Sequence, residues 1–405
     1  MTDGSNSLRR DIGLAGAVLL GLGSMVGTGV FVSLGLAVDL AGAAVTWAVG
    51  AAAVGAMCNG LSSAQLASAH PVAGGTYEYG YRYLHPVAGL TAGWLFLLAK
   101  SASAATAALG IAAYAGFGVR RLPALVALAV VTGLVLSGIR RSNQANAIVV
   151  MVSVGALAAV SIAAWGEAWS APSPPVGDLP DTAEAAALVF VAFTGYGRVA
   201  TLGEEIRNPR SSIPRAVVAT AGVTALLYLV VAFVLSRLGT GGGAEGSPLI
   251  GVAAAAGGGA LEMLVRIGAL AAMVGVLLNL ILGLSRVVLA MGRRRDLPAA
   301  TAIVHRQGRT PTLAVVSVAA VVAAFVMIGS IAVAWSFSAL TVLVYYAITN
   351  LAALRQPPEE RRVPSVVQAV GLAGCLALAA FLDLEMWLWA AGIVALGLIW
   401  YRTRR

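Results

Sequence analysis

The residues best suited to bind a ligand lie in the glycine-rich stretch Gly21 to Phe31, GLGSMVGTGVF. Glycine in a helix interior costs about 1 kcal/mol relative to alanine, so four glycines within an apolar run predict a broken helix. Free amides at such a break can bind a carboxylate, and carbonyls on its other side can bind an ammonium group. Hydroxyls of Ser24 and Thr28 lie beside them. Gly23 and Gly27 also form a GxxxG pattern, so close helix packing is the alternative interpretation.

A second interrupted helix follows later in the chain. The run VFVAFTGYGRVATLGEEIRNP carries Gly195 and Gly197 inside an apolar segment and ends at the acidic pair Glu204–Glu205. Phe193 and Tyr196 place aromatic faces beside the carbonyls that a break would free. Two broken helices at corresponding positions of two halves of a chain are typical of a solute-binding site within a membrane.

The composition predicts that the chain lies in a membrane. Of its 405 residues, 59% are hydrophobic and 11% are charged, and the mean hydropathy is +0.89. Apolar runs of about 20 residues recur along the whole length. They predict an all-α membrane protein with about twelve transmembrane helices, which leaves no room for a soluble catalytic domain, so an enzyme is not expected. The expected spans are 12–36, 43–66, 86–116, 122–138, 143–165, 184–204, 214–238, 258–291, 312–330, 331–354, 364–382 and 384–401.

The positive charge predicts topology rather than binding to nucleic acid. The net charge is +9, and the arginines cluster in alternate short loops. The positive-inside rule assigns these loops to the cytoplasm, so we expect a multi-pass protein of the cell membrane with both termini cytoplasmic. The two cysteines, Cys58 and Cys375, lie in apolar runs and support neither a disulfide framework nor a metal site. No metal or other cofactor is expected.

A Pro-rich polar segment, residues 171–184, divides the apolar core into two halves of five spans. Residues 1–11 are expected to form a cytoplasmic tail, and 12–405 a single transmembrane domain. The first repeat covers about 12–165 and the second about 184–354, and each begins with one of the interrupted helices. Two extra helices follow at about 364–401.

The motifs resemble those of the amino acid/polyamine/organocation permeases. That family combines a GSMVGTGVF-type first span with a sixth span of F-x-G-[FY] type, followed by EE-x-[KR]-N-P and I-P. This chain matches the motifs in the same order between residue 12 and about residue 300. The matching segments are 23–31, 71–79, 193–196, 204–209, 213–214 and 285–291.

The resemblance implies a five-plus-five inverted-repeat fold with broken first and sixth helices and two extra C-terminal helices. It also implies a secondary active transporter of amino acids that works by alternating access. The first-span residues would then hold the substrate carboxylate, and the sixth-span residues would contact its amino group and side chain, or gate them. Glu204 and Glu205 would lie at the cytoplasmic gate. The substrate-binding residues implied are Ser24, Met25, Val26, Gly27, Thr28, Gly29, Val191, Ala192, Phe193 and Tyr196.

The sequence favours coupling to protons, or exchange, over coupling to sodium. Many proton-coupled members of the family have a lysine in the fifth span, where this chain has Ser153. Sodium-coupled relatives of the fold need hydroxyls from the eighth span, and residues 271–284 contain no Ser or Thr. The single lysine, Lys100, lies midway along the third span, where a cation should face the protein interior. Two roles stay open for it: it carries the coupled proton, or it pairs with an acidic group of the substrate.

Other functions compete with amino acid transport. A transporter of polyamines or other organic amines would use the same architecture, and a membrane sensor would bind an amino acid without moving it. A sensor usually needs a signalling domain, and a channel would show a repeated pore motif or oligomer symmetry. Neither feature is evident in the sequence. The expected partners are a small-molecule substrate, protons and the lipid bilayer.

Overall fold

The computed structural model describes residues 13–70, 74–138, 143–197, 207–239, 247–304 and 311–403. These residues form helices and connecting segments, with one isolated β-bridge between Gly42 and Val176. The α-helices are α1 (Leu14–Met25), α2 (Leu34–Ala41), α3 (Val45–Ala69), α4 (Thr76–Tyr83), α5 (Pro86–Ala112), α6 (Arg121–Leu136), α7 (Asn143–Ser170), α8 (Leu179–Phe193), α9 (Pro209–Leu238), α10 (Pro248–Arg293), α11 (Thr312–Ile328), α12 (Ile331–Leu354), α13 (Ser365–Ala380) and α14 (Leu384–Thr403).

Eight helical stretches in the described part of the chain are long and apolar enough to cross a membrane. They are Leu14–Ala41, Val45–Ala69, Pro86–Phe117, Gln144–Ser170, Ser211–Leu238, Pro248–Arg293, Ile331–Leu354 and Leu384–Thr403. The helices α6, α11 and α13 are shorter but also apolar. The prediction of a helical, multi-pass membrane protein is therefore confirmed. The sixth expected span, 184–204, begins within α8, and its residues after Gly197 lie outside the described part.

The eighth expected span, 258–291, begins at a kink in the helix α10. The helix α10 extends from Pro248 to Arg293, but its backbone is not helical at Gly258, which has a φ of +63° and a ψ of −160°. That backbone conformation is open to glycine and strained for other residues. The glycine run at the start of the expected span therefore marks a break between a short helical segment and a long one.

The short helix α4 was not expected, because it is polar and connects two spans. Asp296 stabilises this helix. The residue lies just beyond α10 and is only 2% exposed. The carboxylate accepts hydrogen bonds from the phenols of Tyr77 at 2.5 Å and Tyr81 at 2.7 Å. Burial, and then the hydrogen bond to Asp296, raise the pKa of both phenols above the ordinary tyrosine value. Both phenols therefore stay protonated donors well above neutral pH.

Replacing Asp296 with alanine should destabilise this cluster. The buried phenol of Tyr77 would lose its acceptor, which costs about 1–3 kcal/mol, and Tyr81 would lose a hydrogen bond as well. Thermal unfolding in detergent should show a clear fall in Tm. The control is Glu78→Ala, because the 2.6 Å ion pair of Glu78 with Arg294 is partly open to solvent and should contribute less than about 1 kcal/mol. Equal, small shifts for both variants would contradict a structural role for Asp296.

A buried polar seam joins α3 to α12 and α13. The side-chain amide of Asn350 donates to the Asn59 amide oxygen at 2.5 Å, and the Ser62 hydroxyl donates to the Asn350 oxygen at 2.6 Å. The Asn59 amide in turn donates to Cys375 Sγ at 3.1 Å. Hydrogen bonds between helices stabilise packing in apolar surroundings. The seam therefore fixes the position of α12 at Asn350. This residue is one helical turn from Tyr346, which lies at the candidate site.

Candidate substrate site

The first predicted helix break is present. The helix α1 ends at Met25, Val26 has extended backbone angles (φ −75°, ψ 93°), and helical structure resumes at a π-helical turn, Gly29–Ser33. The last carbonyls of α1 and the first amides of the following turn therefore lack the partners that a continuous helix would give them. The Thr28 hydroxyl is buried and has no hydrogen-bond partner among the described residues. The break thus offers a ligand both donors and acceptors.

The second predicted break is also present. The helix α8 ends at Phe193, and Thr194 closes it by donating to the Val191 carbonyl from both its amide, at 3.1 Å, and its hydroxyl, at 2.7 Å. Val191 was among the residues expected to contact the amino group and side chain of the substrate, or gate them, but its carbonyl is already occupied by these two hydrogen bonds. Glu204 and Glu205, the expected gate, lie outside the described residues.

The two breaks are in direct backbone contact. A Cβ atom at Gly195 would lie 2.5 Å from the carbonyl carbon of Ser24 and 2.7 Å from the Met25 nitrogen. A Cβ at Gly29 would likewise lie 2.7 Å from the Cα of Ala192. Side chains larger than glycine cannot be placed there without moving the backbone. The close approach brings the expected binding residues of both spans to one place.

Tyr228 on α9 bridges the two breaks, and the sequence interpretation missed it. Its hydroxyl donates to the Met25 carbonyl at 2.7 Å and lies 3.4 Å from the Ala192 carbonyl. Its ring centroid is 5.0 Å from that of Phe193, and the residue is fully buried. It lies in the apolar run ALLYLVVAF, which also contains Phe233, and no motif distinguishes it from a core residue.

Lys100 on α5 reaches the second break. Its Nζ donates to the Thr194 hydroxyl at 2.8 Å, and Tyr346 on α12 places its hydroxyl 3.5 Å from the Thr194 carbonyl. Lys100 is half-buried although its neighbours Ala99 and Ser101 are buried. Because Thr194 is buried, the ammonium group of Lys100 lies within the helix bundle.

Three other predicted residues are placed differently from the simplest expectation. The Ser24 hydroxyl donates to the Leu20 carbonyl of its own helix at 2.9 Å, so its hydrogen is not free for a carboxylate. Gly27 faces Val276 on α10. The buried Ser153 hydroxyl lies 2.7 Å from the Val149 carbonyl and 3.1 Å from the Gly268 carbonyl, and so joins α7 to α10. The remaining implied residues are all buried around the breaks: Met25, Val26, Thr28, Val191, Ala192, Phe193 and Tyr196.

Comparison with known proteins shows which family has this architecture. The sequence model for amino acid permeases matches residues 16–382. An uncharacterized transporter of Mycobacterium tuberculosis is 40% identical, over 99% of this chain and 92% of its own length. A branched-chain amino acid permease of Bacillus subtilis is 27% identical, over 95% of this chain and 90% of its own. A vacuolar cationic amino acid transporter of Arabidopsis thaliana is 26% identical, over 90% of this chain and 62% of its own.

The apolar helices define a multi-pass membrane protein built as a helical bundle. The chain belongs to the amino acid permease family, as its motifs indicated, and is a transporter of amino acids or related small molecules.

Proposed function

We propose that the protein is a secondary active transporter of amino acids that works by alternating access, with proton coupling or exchange rather than a sodium gradient. The observation that carries this proposal is the backbone contact of the two helix breaks at Gly195 and Ser24. The adjoining contact of Gly29 with Ala192 brings amides at the start of the half-helix after the first break close to carbonyls at the end of α8. A zwitterion needs this pair of opposite poles.

The proposed arrangement is a single transmembrane domain, residues 12–405, preceded by a cytoplasmic tail, 1–11. It comprises about twelve spans in the cell membrane with both termini cytoplasmic. Two inverted repeats, about 12–165 and 184–354, each begin with a broken helix, and the extra helices at about 364–401 follow. The Tyr228 contacts to Met25 and Ala192 support this arrangement, since they tie the leading helices of both repeats together.

In the proposed binding mode, the amides of Gly27, Thr28 and Gly29 hold the substrate carboxylate. Carbonyls at the end of α8, other than the occupied carbonyl of Val191, receive the ammonium group. The unpartnered Thr28 hydroxyl supports this assignment, because a buried hydroxyl without a partner costs free energy that a ligand would recover. Glu204 and Glu205 are proposed to act at the cytoplasmic gate.

Transport by purified protein in liposomes tests the proposal. With an inward proton gradient, or with unlabelled amino acid inside, we expect labelled amino acid to accumulate well beyond one molecule per protein. Replacing external sodium with choline should leave uptake unchanged, because the eighth span has no hydroxyls at 271–284. A sensor would instead bind substrate stoichiometrically and accumulate none. Dependence of uptake on sodium would refute the proposed coupling.

A further inference from the structure

We infer that Lys100 determines specificity: its ammonium group binds an acidic group on the substrate, which selects amino acids with a carboxylate side chain. This inference rests on the proposed transport function and concerns the same site. In this inference, the third span recognises the substrate side chain. The two breaks recognise the α-amino and α-carboxylate groups common to all amino acids.

The surroundings of Lys100 contain hydroxyl and aromatic groups but no counter-charge among the described residues. The face of α5 that carries Lys100 also carries Phe96, whose ring lies 5.4 Å from that of Tyr345, and Ser103, which hydrogen-bonds Ser338 at 2.7 Å. Ion pairs in the described part of the chain join Arg82 to Glu360, Arg266 to Glu262 and Arg294 to Glu78. None of them includes the lysine.

The hydrogen bonds of Lys100 leave room for a ligand. A lysine ammonium group carries three donors, and among the described residues one of them is satisfied, by the Thr194 hydroxyl. The Thr194 hydroxyl donates its own hydrogen to the Val191 carbonyl, so a lone pair faces the lysine and orients Nζ at the break. The other two donors can form the charge-assisted hydrogen bonds that a carboxylate accepts.

Charge balance distinguishes the substrate classes. A neutral amino acid is a zwitterion and leaves the positive charge of Lys100 uncompensated in a region where an unpaired cation is unfavourable. A cationic amino acid or a polyamine adds a second positive charge beside the first. An acidic amino acid carries one net negative charge and brings the sum at the site to zero. The lysine therefore favours acidic substrates and disfavours organic cations.

The test compares wild type, Lys100→Gln and Lys100→Arg for binding and uptake of L-glutamate, L-aspartate, L-leucine and L-lysine. Thermal shifts report binding, and liposome uptake reports transport. We expect wild type to prefer glutamate or aspartate. Lys100→Gln should weaken their binding by about 10-fold or more, the range expected for a lost charged hydrogen bond, and leave leucine within about two-fold. Lys100→Arg should keep the acidic preference.

The matched control is Ser103→Ala, three residues along the same face, which keeps the charge and should leave the preference unchanged. A wild-type preference for leucine or lysine would overturn the inference, as would equal losses for all four substrates in Lys100→Gln. It would also be overturned if Lys100→Gln removed only proton-driven accumulation, because the lysine would then serve the proton. Selective glutamate binding without accumulation would refute transport but support the role of Lys100.

Discussion

Gly195→Ala is expected to abolish transport, with a loss of uptake of about 100-fold or more. The added methyl group would lie 2.5 Å from the carbonyl carbon of Ser24 and 2.7 Å from the Met25 nitrogen. Both are backbone atoms and cannot rotate away as a side chain can. One break must therefore move relative to the other, and a displacement of about 1 Å at a binding site costs on the order of 100-fold in rate.

Uptake by the variant in liposomes measures this effect, with thermal unfolding as a check that the protein still folds. The matched control is Gly222→Ala on α9, where an added Cβ meets no atom within 4 Å. Alanine also forms helices better than glycine, so this variant should transport normally and be at least as stable. Near-normal uptake by Gly195→Ala would show that the two breaks need not touch during transport.

Tyr228→Phe is expected to lower uptake by about 10-fold, with little change in the shape of the core. The substitution removes only the hydroxyl that donates to the Met25 carbonyl at 2.7 Å. That carbonyl lies at the end of α1, so no intrahelical amide replaces the lost donor. A buried carbonyl without a partner costs about 1–3 kcal/mol, which is sufficient to displace the break.

The control for this prediction is Tyr346→Phe. The Tyr346 hydroxyl lies 3.5 Å from the Thr194 carbonyl, at the limit of a hydrogen bond, so its loss should have a smaller effect. Initial rates measured over a range of substrate concentrations distinguish a tyrosine that positions the break from one that only packs in the core. If Tyr228 positions the break, KM should rise in Tyr228→Phe while the amount of folded protein stays constant. A fall in folded protein with unchanged KM would assign the residue to core packing alone.

Local sequence features predicted the helical elements well. Apolar runs, which are read within a window of about 20 residues, located the spans, and glycines within those runs located both breaks. The two helical features that the sequence did not predict also have local causes. Helix α4 is short and polar, so hydropathy does not distinguish it from a loop. The helical segment that precedes Gly258 in α10 was missed because it is short and lies before the kink at which the expected span begins.

The contacts that make a site from these elements come from helix packing. Gly195 meets Ser24, Lys100 meets Thr194, and Tyr228 meets Met25, and each pair is separated by 94 residues or more along the chain. Hydropathy and glycine spacing report the preferences of a residue and its immediate neighbours, so they determined the membrane class and the two breaks. Only the tertiary structure decided which side chains face the breaks, because helix rotation and crossing depend on packing between distant segments.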